Sequence, residues 1–321
     1  MDNLRDKIIK MKPNLKSNSV AMYIRSLKIL YKKLGNDSEL KNIDFLEDFK
    51  KVKEVLEEFK ITTRKNYLSS IVVALLTDEE KYEDLLKKYR DYLDENSEEY
   101  SKYIDEQQKS NKQSDNWATI SELRKVLKDY KEELLDKNVF KERTAETIIP
   151  KEFDIMQMWV AGNLYIGDDE NPPLRNNYIM EVVSKKVYDK LSNSDKKENN
   201  YLVVQGARNK FFHLSNYKTD KTYGTRKIEV GKKLNSILNI WLKFNTSGNL
   251  LLTKHKKPMN ANQLTKYIQK VFKPTGKQIS TSLLRHIYIS EKFPAVNKEK
   301  EEVADKMLHS TSEQTKYSKK D

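Results

Sequence analysis

Residues 201–230 read YLVVQGARNKFFHLSNYKTDKTYGTRKIEV, and this stretch distinguishes the chain from an all-helical protein. Three short runs within it are rich in aromatic and β-branched residues, which favour strands. These runs are Tyr201–Val204, Lys210–Leu214 and Arg226–Val230. The polar residues Asp220 to Gly224 are typical of a turn between the last two. The stretch therefore predicts a small antiparallel sheet.

Helical spacing of apolar residues surrounds the predicted sheet. A long apolar helix is predicted from Phe153 to Leu164, and helices resume from Leu234 onward. In the first hundred residues the same spacing predicts helices at three places: from Ser17, from Leu46 to Phe59, and from Thr62. The predicted fold is mainly α with a small antiparallel β-sheet, an α+β class.

The segment 108–116 contains no large apolar side chain, which is typical of a linker. It separates a helical first domain, residues 1–107, from a second domain, residues 117–321, that contains the predicted sheet.

Charge and composition limit the classes of partner. The net charge is +13, and basic and acidic residues balance through residue 100, so the surplus lies in the remainder. A cationic domain suits a polyanion such as nucleic acid, although a chain rich in Lys and Asn also results from A/T-rich coding. No apolar run approaches the roughly 18 residues that a membrane span needs. The chain has no cysteine, which excludes disulfides, thiolate zinc sites and a cysteine nucleophile.

Five small features follow one another in the second domain. They are Leu174-Arg175 after the long apolar helix, Lys218 in the turn between two strands, Leu284-Arg285-His286 in a predicted helix, Leu308-His309-Ser310, and Tyr317. Each is weak alone. All five features in this order are much less expected to occur by chance than any one of them.

In this order the chain resembles the tyrosine recombinase (integrase) family from about residue 110 to its end. The Pro172-Pro173 pair before Leu174-Arg175 resembles the version found in large eukaryotic viruses and mobile elements. The resemblance implies a helical DNA-clamping (core-binding) domain, residues 1–107, followed by a catalytic domain, residues 117–321. It also implies site-specific DNA cleavage and rejoining, as in DNA integration and recombination.

The resemblance assigns a role to each residue of the set. Arg175 and Arg285 would bind the non-bridging phosphate oxygens, and His309 would donate a hydrogen bond to them. Lys218 would be the general acid and Tyr317 the nucleophile that forms a 3′-phosphotyrosyl intermediate. Because this bond conserves the energy of the phosphodiester, no cofactor, ATP or metal ion is expected.

Two departures from the family pattern affect the mechanism. Ser282 stands where the family usually has a histidine that acts as general base, and a serine holds no proton near neutral pH. His286 lies one helical turn further on and is the alternative proton acceptor. Few residues follow Tyr317, so the C-terminal helix that many relatives dock on a neighbouring subunit is expected either to be absent or to be supplied by another segment.

The expected partner is double-stranded DNA, bound by a homotetramer on two sites, with no membrane. An intracellular location, in the cytoplasm or nucleus of a host cell, and a viral or mobile-element origin fit the composition and the resemblance. Two alternatives remain open. One is a type IB topoisomerase-like enzyme, which uses a similar residue set to relax DNA. The other is a DNA-binding relative without catalysis, for which Ser282 is the main argument.

Overall fold

The computed structural model describes residues 2–36, 38–105 and 108–307. The chain divides into two compact units, with the boundary between Gln108 and Lys109. Most described residues are helical, and one four-stranded sheet lies in the second unit. The α+β class predicted from the sequence is confirmed. Within these ranges, no helix combines the length and the apolar character that crossing a membrane requires.

The first unit is built from helices alone. They are α1 (Asp2–Met11), α2 (Ser17–Lys33), α3 (Phe49–Glu57), α4 (Ile61–Leu75) and α5 (Glu83–Asp105). Helix α4 packs between α2 and α5. The sequence indicated only a charged stretch where α5 lies, because charged residues outnumber the apolar ones there. Leu86 and Tyr89 nevertheless form a buried stripe, and Tyr89 Oη donates to Leu46 O at 2.9 Å.

The second unit contains eleven helices among its described residues. They are α6 (Asn111–Asn116), α7 (Ile120–Asp136), α8 (Val139–Glu142), α9 (Pro150–Ile166), α10 (Lys185–Lys190), α11 (Asn193–Glu198), α12 (Asp220–Tyr223), α13 (Lys232–Phe244), α14 (Ala261–Val271), α15 (Thr281–Lys292) and α16 (Pro294–Lys306). Helix α6 lies inside the predicted linker. A capping box between Ser110 and Gln113 starts it, and Asn116 Oδ1 accepts from Gln278 N at 2.7 Å. A polar segment can therefore fold when its ends are capped.

Helix α9 is the centre of this unit. It contains the predicted span Phe153–Leu164 and packs against α7, α13, α14 and α15. Gly162 allows the closest approach of α7, because a Cβ atom there would lie 2.2 Å from Leu127 Cδ2. Pro150 occupies the first helical position, where its fixed φ and missing N–H suit a helix start.

The sheet has the order β1-β2-β3-β4. Strands β2 (Tyr201–Val204), β3 (Lys210–Leu214) and β4 (Arg226–Glu229) are antiparallel neighbours and confirm the three predicted strands. The prediction of a purely antiparallel sheet was wrong. Strand β1 (Glu181–Ser184) pairs parallel with β2, and α10 and α11 form the crossover between them. A four-residue strand with two apolar side chains gives little signal in a sequence.

Strand β3 is buried on both faces. Phe212 packs into the main core, whereas Phe211 on the opposite face joins a smaller cluster with Tyr201. Lys210 at the start of the strand is 1% exposed, and its ammonium donates to Asn235 Oδ1 at 2.9 Å and to Asn239 Oδ1. Burial lowers the pKa of Lys210. These contacts attach the β2–β3 turn to α13.

Candidate active site

The loop that follows α9 carries Arg175 and is held by side-chain contacts to backbone N–H groups. Asp168 Oδ1 accepts from the backbone N–H groups of Glu170 and Asn171, at 3.0 Å each. Asn171 Oδ1 accepts from Gly231 N at 2.8 Å, and Glu170 Oε2 accepts from Lys232 N at 2.9 Å. The loop is therefore attached to the N-terminus of α13.

Arg175 itself is fixed through its backbone. It precedes a 3₁₀ turn, Asn176–Tyr178, and its carbonyl oxygen accepts from Tyr165 Oη at 3.1 Å. Tyr178 is buried and donates to Leu164 O at 2.6 Å, which attaches the turn to the end of α9. The side chain of Arg175 is exposed. Its guanidinium is thus available to a ligand while its backbone is held.

Arg285 lies in the first half of α15. Ser280 caps this helix by accepting from Leu283 N at 3.1 Å, and Leu284 next to the arginine is fully buried. The guanidinium of Arg285 is half-buried and makes only long contacts, at 3.5 Å each, to Thr281 O and to Ser282 Oγ. Among the described residues, its hydrogen-bonding capacity is therefore largely unused.

Arg175 and Arg285 lie within electrostatic reach of each other. The pKa of Arg285 is lowered, first by burial and then by the positive charge of Arg175. Burial raises the pKa of Tyr165 well above its ordinary value, and the charge of Arg285 acts in the opposite direction. The guanidinium of Arg285 is therefore within electrostatic reach of both Arg175 and the Tyr165 hydroxyl.

Neither arginine of this pair has a carboxylate partner among the described residues. Other arginines of the unit do: Arg124 pairs with Asp169 at 2.8 Å, and Arg143 pairs with Glu152 at 3.0 Å. Two neighbouring guanidiniums repel each other, and an anion between them removes that repulsion. The fork of each guanidinium matches the geometry of phosphate or carboxylate oxygens. The arrangement can therefore bind an oxyanion.

Lys218 lies in the segment that joins β3 to β4, as predicted. Its side chain is exposed, and no contact within the described ranges joins it to the arginine pair. The segment is closed by Tyr217 Oη, which donates to Gly224 O at 2.5 Å, and by the hydroxyls of Ser215 and Thr225, 2.9 Å apart. Lys218 is thus presented on a turn whose base is held.

Of the remaining predicted residues, two lie outside the described part of the chain and two lie on α15. His309 and Tyr317 lie outside the described residues. Ser282 and His286 are both exposed on α15, one turn apart, and the Ser282 hydroxyl, like Thr281 O, contacts the guanidinium of Arg285.

No family model, curated protein or solved structure matches the chain. The resemblance to tyrosine recombinases therefore depends on the ordered residues that carry it.

Tyr165 is a site residue that the sequence did not reveal. It lies within the apolar run of α9, where a tyrosine is usually a core residue. The signal in the sequence is its position in the last turn of α9, directly before the loop that carries Arg175. Its hydroxyl holds the backbone of Arg175, so it positions one half of the arginine pair.

Proposed function

We propose that this protein cleaves and rejoins DNA through a covalent phosphotyrosine formed by Tyr317. The observation that supports this best is that Arg175 and Arg285 lie within electrostatic reach of each other and that neither pairs with a carboxylate in the described part of the chain. The residues that resemble the family's two phosphate-binding arginines are those that form the oxyanion site. The charge distribution also supports DNA binding, because the surplus of +13 lies after residue 100.

Each step of the proposed reaction breaks one ester bond to phosphorus and forms another, so the number of these bonds stays the same. The hydroxyl of Tyr317 passes its proton to His286 as its oxygen attacks phosphorus, a new O–P bond forms, and the bond from phosphorus to the 5′-oxygen breaks. The arginine pair stabilises the charge that develops on the non-bridging oxygens, with His309 as a further donor. Lys218 protonates the leaving 5′-oxygen. A 5′-hydroxyl from a second strand reverses the step and completes strand exchange.

A DNA-binding protein without catalysis is the second candidate, because Ser282 occupies the position of the usual general base. Ser282 Oγ lies 3.5 Å from Arg285 Nη2, so the hydroxyl is next to the oxyanion site, but it cannot accept a proton as a histidine does. The two candidates differ in one measurable product, a covalent protein–DNA adduct.

Covalent capture tests the proposal directly. Purified protein is incubated without metal with pooled, nicked fragments of its source genome, and adducts are separated on a denaturing gel. We expect an adduct with wild type and none with Tyr317→Phe, whose DNA binding should be unchanged. The conservative control is Tyr223→Phe, an exposed tyrosine of α12, which should form the adduct normally. DNA binding without any adduct would favour the second candidate.

The role of Lys218 is tested separately with a substrate whose bridging 5′-oxygen is replaced by sulfur. A thiolate leaves without prior protonation, so Lys218→Ala should be strongly impaired on ordinary DNA and nearly normal on the sulfur substrate. Lys221→Ala, in the same segment, is the matched control. Equal impairment of Lys218→Ala on both substrates would contradict the general-acid assignment.

A further inference from the structure

A cavity of about 440 Å³ opens between α7, α9 and α13 in the second unit. Each helix contributes residues spaced three or four apart, so each presents one face to it. The apolar lining consists of Leu127 from α7, Trp159 from α9, and Ile237 and Ile240 from α13. The volume is within the range of small-molecule sites in proteins, roughly 300–1,000 Å³.

The polar lining of the cavity is cationic. Arg124, Lys128, Lys131 and Lys233 contribute to it, and no acidic side chain does among the described lining residues. Two of these cations are already engaged at the end of α9. Arg124 Nε donates to Ile166 O at 2.9 Å, and Lys233 Nζ donates to Gly167 O at 2.6 Å.

The other two cations are available to a ligand. Lys128 makes only an exposed contact with Glu132, at 3.5 Å, which contributes little to stability in water. Lys131 is exposed, and no carboxylate of the described chain pairs with it. The two lysines are three positions apart on α7, so both ammonium groups lie on the same side of the cavity.

Asn163 adds an unmatched hydrogen-bond acceptor. The residue is 5% exposed and lines the cavity. Its Nδ2 donates to Trp159 O at 2.7 Å, but no donor from the described residues reaches its Oδ1. This oxygen is an unused acceptor at the cavity wall, which a ligand N–H or O–H can fill.

We infer that this cavity binds a small organic anion with an apolar, planar body and one hydrogen-bond donor. The body packs against Trp159 and Ile237, the carboxylate or phosphate lies between Lys128 and Lys131, and the donor faces Asn163 Oδ1. The site is separate from the arginine pair, because Asn163 and Tyr165 are two positions apart on α9 and face opposite sides of that helix. The inference does not depend on the proposed function.

Calorimetric titration of the full chain at low ionic strength measures the affinity for three aromatic probes of similar size. The probes differ in whether they carry the anion and the hydrogen-bond donor. Indole-3-acetate carries the body, the N–H and the anion, whereas 1-naphthaleneacetate lacks the N–H and tryptamine replaces the anion by a cation. We expect indole-3-acetate to bind with a Kd of about 1 mM, as its size allows. Binding should be about fivefold weaker for 1-naphthaleneacetate and at least tenfold weaker for tryptamine.

Variants locate the binding in the cavity. Lys131→Gln should weaken indole-3-acetate about fivefold, and Ile237→Trp should abolish its binding by filling the space. Lys125→Gln, an exposed lysine elsewhere on α7, makes the same charge change and should bind as wild type. Thermal unfolding of each variant, followed by tryptophan fluorescence, checks that the fold is retained.

Several results would overturn the inference. One is equal affinity for the three probes, and another is undiminished binding by Ile237→Trp in a variant that is folded. A third is that no probe binds, whereas an acidic peptide with one aromatic residue binds at the same lysines. That result would assign the cavity to a protein partner. None of these measurements involves DNA, so their failure is distinct from failure of the proposed reaction.

Discussion

Replacing Gly162 by alanine should destabilise the second unit, although alanine is the better helix former. The added Cβ would lie 2.2 Å from Leu127 Cδ2 and 3.3 Å from both Leu127 Cγ and Val271 Cγ1. Carbon atoms in a packed core approach to roughly 3.5–4.0 Å, so Leu127 must move. Leu127 is 3% exposed and has little room to do so.

The expected size of this effect is the difference between two terms. Overpacking a core by one methyl group costs about 1–3 kcal/mol, and the very short contact indicates the upper half of that range. Alanine in place of glycine inside a helix contributes about 1 kcal/mol in the other direction. The free energy of unfolding should therefore fall by about 1–2 kcal/mol.

Tryptophan fluorescence during urea unfolding measures this change in the second unit alone. All three tryptophans, Trp117, Trp159 and Trp241, belong to that unit. The background Leu127→Ala supplies the control, because it removes the side chain that the new methyl group meets. On that background Gly162→Ala should stabilise the protein by up to about 1 kcal/mol, as helix propensity dictates. The same sign of change on both backgrounds would refute the steric argument.

Three further measurements use the same unfolding assay. Tyr178→Phe removes the buried hydrogen bond to Leu164 O and should lower the free energy of unfolding by about 1–3 kcal/mol, whereas no change would mean that the bond is unimportant. The hydrogen bond from Arg143 holds the pKa of Glu152 below 4.5, so its contribution is present above that pH and is lost as the pH falls through the folded-state pKa. Glu152→Gln should therefore flatten the loss of stability below pH 4.5, and an unchanged acid profile would contradict the assignment. Lys256 has φ +57°, so Lys256→Gly should raise the free energy of unfolding by about 1 kcal/mol, and a decrease would argue against backbone strain.

The elements that the sequence predicted have strong local signals. Helix α9 has a long apolar run, and β2 and β3 are short aromatic and β-branched runs bounded by polar turns. Helix α5 was harder to identify, because its apolar positions are separated by many charged residues. Strand β1 was missed because parallel pairing joins segments on either side of a crossover, and a local pattern contains no such partner.

The sequence indicates which residue types belong to the candidate site, but it does not indicate how these residues are arranged in space. The order of arginines, lysine, histidine and tyrosine follows from the sequence alone. That Arg175 and Arg285 lie within electrostatic reach of each other, with no carboxylate of the described chain paired to either, depends on how the loop after α9 is held and on where α15 packs. These are tertiary properties. Tyr165 was missed for the same reason, since its hydroxyl contact is visible only in the folded unit.

The two edges of the sheet differ in a way that affects self-association. Along β1 the outer edge is occupied: Val182 N donates to Gly248 O at 2.8 Å, and Leu250 N donates to Met180 O at 2.9 Å. Strand β4 has no strand neighbour on its outer side within the described residues, and an open edge is a template for a strand from another molecule. Arg226, Lys227 and Glu229 place charges along that edge. These charges oppose the addition of a second copy's strand, and so protect the sheet against aggregation at the edge that the described residues leave open.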